Sequence, residues 1–199
     1  MAGRRRPQNK KVSASSGQLR IIGGRWRGTK LTITDTVGLR PTPDRVRETL
    51  FNWLAADIHD AKCLDLFAGT GALGLEALSR GAKLCHFIEQ SAAASQLLAT
   101  QFERLEASSA QLENTDAMTW LSKDQVEVFD IVFIDPPYHR GLAAKSCEML
   151  INNNRLSSEA IIYLEMASDE QPPEILQKWQ LHREKNAGQV CYRLYRREK

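Results

Sequence analysis

The segment Ile-Asp-Pro-Pro-Tyr-His-Arg-Gly, residues 134–141, sets a carboxylate, two prolines and an aromatic ring directly after an apolar run. Proline lacks the ladder donor and fixes φ, so a strand must stop here. The turn leaves Asp135 and Tyr138 at the strand's end, with Pro136 and Pro137 stiffening the path between them. An isolated acid-proline-proline turn is commonplace, so its meaning depends on a second motif. Gly-Thr-Gly-Ala-Leu-Gly, Gly69 to Gly74, follows one strand-like run and opens a helix-like one. That is the pattern of a dinucleotide-binding turn, in which glycines let the backbone approach a ligand and a helix N-terminus attracts negative charge.

Three acids bear on which ligand the loop takes. Glu89 ends the next strand-like run, in position to accept from ribose hydroxyls. On these features alone an NAD enzyme is a competitor. Asp65, just before the loop, disfavours a nearby pyrophosphate and suits a cationic amino acid. Asp116, in Thr-Asp-Ala-Met, follows the third strand and could accept from an adenine amino group. A ligand with an α-amino acid tail, a ribose and an adenine but no pyrophosphate fits this set better than NAD. S-adenosylmethionine is such a ligand.

The elements that must carry these residues are legible from periodicity. Residues 18–33 read as a β-hairpin around Gly23-Gly24, exposing Arg20, Arg25, Arg27 and Lys30, with Trp26 near the turn. A helix follows, with Asp44 as its cap and Val46, Leu50, Trp53 and Leu54 on one face. From Lys62 strands and helices alternate. Strands are expected at 63–67, 83–89, 110–113, 129–135 and 160–166, and helices at 71–81, 91–106, 118–121 and 141–151. Two more strands, joined by Asn-Ala-Gly, close the chain. This predicts an α/β fold of the Rossmann-like, doubly wound kind. Its seven-stranded sheet is mostly parallel with an antiparallel C-terminal edge, and a small hairpin-and-helix extension precedes it. Glu76, on the helix after the loop, is expected to face solvent or form a pair.

The chain has 199 residues, 42% hydrophobic and 26% charged, the balance of a soluble globular protein. No apolar run approaches the ~20 residues a membrane helix needs. The basic start lacks the apolar segment of a signal peptide, which points to a cytoplasmic protein. Four cysteines lie far apart with no metal spacing, as expected for buried thiols in a reducing compartment. The four histidines show no such spacing either, so no metal is expected. Charge is uneven: residues 1–47 carry twelve Lys/Arg against Asp35 and Asp44, whereas the rest carry fifteen against twenty-two acids. A polyanion is the natural partner for that basic quarter. Residues 1–17 read as a disordered basic tail, 18–60 as a basic hairpin-and-helix unit, and 61–199 as the domain that carries the glycine loop and the proline turn.

Asp-Leu-Phe-Ala-Gly-Thr-Gly-Ala-Leu-Gly, the acid at Glu89, Thr-Asp-Ala-Met and Asp-Pro-Pro-Tyr resemble the successive motifs of class I S-adenosylmethionine-dependent methyltransferases that act on amines. More narrowly, residues 19–31 and the block Arg-Pro-Thr-Pro-Asp-Arg-Val-Arg-Glu-Thr-Leu-Phe-Asn-Trp-Leu resemble the bacterial RsmD family. Those enzymes methylate the exocyclic N2 of a guanine in 16S ribosomal RNA during small-subunit maturation. The resemblance implies that Asp65, Phe67, Ala68, Gly69 and Gly71 hold the methionine part of the cofactor. It also implies that Glu89 takes the ribose, Asp116 and Ala117 the adenine, and that Arg40, Thr42 and Arg45 cover the cofactor. Asp135, Pro136, Pro137 and Tyr138 would form the amine site. Arg20, Arg25, Trp26, Arg27, Lys30, Arg45 and Arg47 would meet ribosomal RNA, free or within an assembling 30S particle with its ribosomal proteins. Nothing calls for more than a monomer. The same acid-proline-proline-aromatic turn serves DNA adenine-N6 methyltransferases, and a non-catalytic RNA-binding protein is the alternative outside enzymes.

Overall fold

A computed structural model of the chain describes residues 17–33, 42–124 and 127–197. Of the expected tail 1–17, residues 1–16 lie outside the described residues, as does Arg40, and Gly17 opens the first strand. The first strands, β1 (Gly17–Arg20) and β2 (Lys30–Ile33), pair antiparallel, and α1 (Asp44–Trp53) follows. Then β3 (Lys62–Asp65), α2 (Ala72–Ser79), β4 (Leu84–Glu89), α3 (Ala92–Arg104), β5 (Ala110–Asn114) and α4 (Ala117–Leu121) run in succession. They lead into β6 (Phe129–Ile134), α5 (Leu142–Asn152), β7 (Leu156–Ala167), β8 (Gln180–Ala187) and β9 (Val190–Arg196). The large sheet has the order β5-β4-β3-β6-β7-β9-β8. Pairs from β5 to β7 are parallel, and both pairs made by β9 are antiparallel.

Successive side chains of a strand point to opposite faces, so a sheet covered on both sides reads as a continuous apolar run. Cys63, Phe87, Phe133 and Tyr163 join side chains of α1, α2 and α3 in one core. Leu64, Ile88, Ile134 and Leu164, each one residue along, join α4 and α5 in the other. All four cysteines are buried free thiols. The hairpin is not a separate body: Leu19, Ile21 and Leu31 belong to the first core.

Several local expectations need correction. Gly23-Gly24 does not make the hairpin's turn. The loop runs on to Thr29, whose carbonyl accepts from Ile21 N–H at 3.0 Å, and the glycine segment docks on α2 instead. Pro43, not Asp44, precedes the first turn of α1, and the Asp44 carboxylate accepts from Arg47 at 2.6 Å. β7 begins at Leu156, ahead of the expected start.

Glu76 explains the docking. Its side chain is fully buried rather than turned to solvent. Its two oxygens accept from Ile22 N–H and Gly23 N–H, each at 2.8 Å, and one accepts from Arg80 Nε at 2.7 Å. Arg47 Nη1 lies 3.6 Å away. Ser79 extends the seam, taking Arg25 N–H on its carbonyl at 2.8 Å and Trp26 N–H on its hydroxyl at 3.0 Å. Arg47 therefore drops out of the expected RNA-binding set. Its guanidinium has no exposed surface and donates to Arg20 O at 2.8 Å, because the helical phase that buries Val46 and Leu50 buries Arg47 beside them.

Removing one member of a buried charge network leaves the others desolvated and unpaired. Glu76→Ala should lower unfolding stability in urea by about 3–5 kcal/mol. A loss below about 1 kcal/mol would show that water replaces the carboxylate at little cost.

Candidate active site

The chain winds from β3 outward to β5, then returns to β6 on the other side of β3. Ligands of open α/β sheets bind where the order reverses, outside the carboxyl ends of the strands. A cleft of about 610 Å³ opens at that point. Its walls bring together most residues expected there: Asp65 closing β3 with Phe67, Ala68 and Gly69 beyond it, Glu89 closing β4, and Asp116 and Ala117 at the head of α4. Asp135, Pro136, Pro137 and Tyr138 after β6 face them, and Thr42 reaches in from the segment before α1. Gly71 is not on the wall. It holds φ at 72° as the residue capping α2, a conformation that glycine adopts without strain. Gly74 serves the backbone behind the wall, since a β-carbon there would run into Phe87 and Cys85.

The loop is held by the acids themselves. Glu89 accepts from Gly69 N–H at 2.7 Å and from Ser91 N–H at 2.6 Å, one bond to each oxygen. Asp65 accepts from Gly74 N–H at 2.9 Å in the first turn of α2. Burial, with Glu89 adding repulsion and that N–H opposing both, pushes Asp65 up to about 7. Asp116 caps α4, accepting Thr119 N–H at 2.9 Å, and its exposed side chain still lines the cleft.

Asp135 has fewer partners. Thr42 Oγ1 is its hydrogen-bond donor, at a long 3.4 Å. Burial, then the nearby Glu165 and Asp65, raises it well above the ordinary carboxylate range. Tyr138 donates its hydroxyl to Glu165 at 3.0 Å, so the ring is tied across the turn. Sequence reasoning passed over Glu165. The signal was an acid in the otherwise apolar Ile-Ile-Tyr-Leu-Glu-Met, where alternation aims it toward the same face as Tyr163. It also passed over Arg140 at the rim, the one basic residue of the wall among the described residues.

On the basic side, Arg20, Arg25, Arg27, Lys30 and Arg45 are exposed, and the Arg25 guanidinium lies 4.1 Å from the Trp26 ring centre. Helix α1 joins this surface to the cleft: Thr42, just before it, reaches Asp135, and Arg47, one turn in, reaches Arg20. Among the described residues no group of three or more His, Cys, Asp or Glu could hold a metal ion, and no helix is long and apolar enough to cross a membrane.

Residues 19–196 match the model of the family described as "Conserved hypothetical protein 95". The chain belongs to this family. It is 53% identical over 185 residues to the Escherichia coli (strain K12) protein named "Ribosomal RNA small subunit methyltransferase D", covering 93% of each chain. The Haemophilus influenzae protein of the same name is 46% identical over 184 residues, covering 91% of this chain and 95% of that one. The solved structure of Escherichia coli yhhF superposes with a TM-score of 0.83 at 53% identity, over 92% of this chain and 99% of that one.

A carboxyl group that folding drives to a higher pKa holds its proton longer in the folded state. For Asp65 the unfolded value is about 4 and the folded value about 7. The penalty is therefore absent below the first, grows as pH rises between them, and is complete above the second. Asp65→Asn keeps an oxygen for Gly74 N–H, so it should raise the melting temperature at pH 8, with the gain gone by about pH 4. A lower melting temperature at pH 8 would contradict this.

Proposed function

We propose that the chain transfers a methyl group from S-adenosylmethionine to the exocyclic N2 amine of a guanine in 16S ribosomal RNA, during small-subunit maturation. The observation that carries the reading is one cleft in which an acid-lined nucleotide pocket meets the Asp135–Tyr138 turn. The names borne by the family's relatives support the class of acceptor.

The donor set suits this cofactor. Among the described residues four acids, Asp65, Glu89, Asp116 and Asp135, line the cleft against one base, Arg140. Such a wall repels a pyrophosphate and attracts a cation, which separates S-adenosylmethionine from NAD. Asp65 would hold the cationic amino acid end, Glu89 the ribose through its remaining lone pairs, and Asp116 with Ala117 the adenine edge. When bound, S-adenosylmethionine supplies an already activated, sulfonium-borne methyl group.

The chain's part is then alignment. An exocyclic amine on guanine is a poor nucleophile because its lone pair is delocalised into the ring. Asp135 and the carbonyl of Pro136 offer two acceptors at the end of a rigid strand. Together they favour a pyramidal nitrogen whose lone pair is free, the preorganised kind of electrostatic help. Pro136 is buried and Tyr138 half-buried, so the aromatic ring is available for stacking while the turn beneath it is fixed. No general base is required ahead of transfer, because the proton can leave afterwards. Holding reactants in line supplies most of what remains. A base in structured RNA must leave its stack to reach such a site, and the exposed arginines around Trp26 would hold the flanking strand.

Labelled cofactor, incubated with separate RNA, DNA and protein pools, should leave label in RNA as N2-methylguanosine. Label in DNA as N6-methyladenine, or none in any pool, would overturn the reading. Asp135→Ala should slow transfer about a hundredfold or more while cofactor affinity stays within a few-fold; equal turnover by variant and parent would refute the role given to Asp135.

Deleting the hairpin would also strip Glu76 of two backbone donors, so the RNA surface is better tested by charge. Arg25→Glu with Arg27→Glu should weaken RNA binding and flatten its dependence on salt by about two counterions. Calorimetry should find cofactor affinity unchanged; an equal loss of both would contradict a separate RNA surface.

A further inference from the structure

Glu165 is a costly residue where it stands. It lies on β7 with 4% of its surface exposed, in a run whose neighbours on both sides are buried and apolar. Ile134 of β6 pairs with Leu164 of β7, so Asp135 and Glu165 are the next residues of two adjacent parallel strands. Two carboxyl groups thus sit side by side at the sheet's edge. Burial raises Glu165, although its two tyrosine donors pull the other way. A buried acid next to another acid contributes no net stability that an apolar side chain of similar volume would not supply.

Its two bonds show what the position does provide. Tyr163, fully buried in the core beneath the turn, donates its hydroxyl to Glu165 Oε2 at 2.7 Å. Tyr138, in the turn, donates to Oε1 at 3.0 Å. Glu165 therefore connects a core ring that cannot move to a cleft ring that otherwise hangs on a loop. A second tie secures the next residue. His139, at φ 59°, donates its N–H to Glu170 Oε1 at 3.0 Å, and Glu170 Oε2 accepts Ala167 N–H at the end of β7 at 3.1 Å.

We propose that Glu165 is a positioning residue of the acceptor site: it fixes the Tyr138 ring beside Asp135, so that the base carrying the amine is held in one plane against the two acceptors. The assignment rests on the methyl-transfer reading above and adds to it the group that sets the aromatic wall. Glu165 acts through Tyr138 and does not itself touch the reacting nitrogen. Because the two bonds run through one carboxylate, the contribution of Glu165 and that of the Tyr138 hydroxyl are the same contribution counted once.

A double-mutant cycle on the full chain tests this, with methyl transfer to small-subunit RNA as the readout. Glu165→Ala and Tyr138→Phe should each lower kcat about tenfold or more, as expected when a positioned group is loosened. The double variant should be no slower than the worse single one. Glu165→Gln, whose amide can still bond both hydroxyls, should recover to within about threefold of the parent. Cofactor affinity by calorimetry should not change in any of them. Parental kcat in Tyr138→Phe, multiplying losses in the double variant, or a parallel loss of cofactor binding would each overturn the assignment. Should Glu165→Ala fail to fold, Tyr138→Phe and Glu165→Gln still decide it. The parent run alongside separates the two ideas: if it methylates a different acceptor, the function proposed above fails, and the cycle repeated on that acceptor still tests Glu165.

Discussion

Carboxyl groups of like charge, held out of water at the ends of adjacent parallel strands, are the constraint from which the rest of this structure follows. Asp65 closes β3, Asp135 follows β6, and Glu165 stands near the end of β7. Strand alternation sets all three on the face that carries Phe133 and Tyr163. Glu165 and Asp65 both repel Asp135, and each of the three is raised by burial first. A sheet edge of this kind is a poor way to gain stability and a good way to attract a cation beside a hydrogen-bond donor. The loop glycines, the helix N-terminus at Gly74 and the tyrosine hydroxyls soften the repulsion without removing it.

Glu76 makes the contrast plain. It is as buried as any of the three, yet two backbone N–H groups and Arg80 bond it, and Arg47 lies beside it. Nothing is left for a ligand to supply, and it faces the hairpin rather than the cleft. Asp135, by comparison, has one long bond from Thr42. The degree to which each acid is satisfied by its own chain therefore separates Glu76 from Asp135. Burial alone would not have separated Glu76 from Asp65 and Glu165.

The same contrast accounts for what could be read before the fold was known. Local grammar carried the glycine loop, the strand ends at Glu89 and Ile134, and the proline turn, because each depends on neighbours along the chain. The alternating apolar runs likewise gave away a two-faced parallel sheet with an antiparallel edge. Arg47 was misread, and the burial of Glu76 missed although its pair with Arg80 formed, because Arg20 O lies 27 residues from the one and the Ile22 and Gly23 N–H groups more than 50 from the other. In the sequence both sit at helical positions that a solvent-facing charge could equally occupy. Glu165 was overlooked for a related reason: its role exists only once β6 and β7 are in register. The hairpin turn was misplaced because Gly23-Gly24 looks like turn chemistry, whereas those backbone N–H groups are spent on α2.

Helix α2 shows how these pieces hold one another. All eight of its residues are buried, so it has no polar face for a sequence pattern to reveal. One end begins at Gly71, where Asp65 takes the Gly74 N–H and the cofactor loop turns. The other end carries Glu76 and Ser79, which bind the backbone of the basic hairpin. At 1.5 Å rise per residue the two ends are only about 10 Å apart. A buried helix packed at crystal-like density cannot slide or rotate without opening voids. Loop and hairpin are thus fixed relative to each other by one rigid strut. The basic hairpin surface on one side of α2 is by construction in register with the cleft on the other.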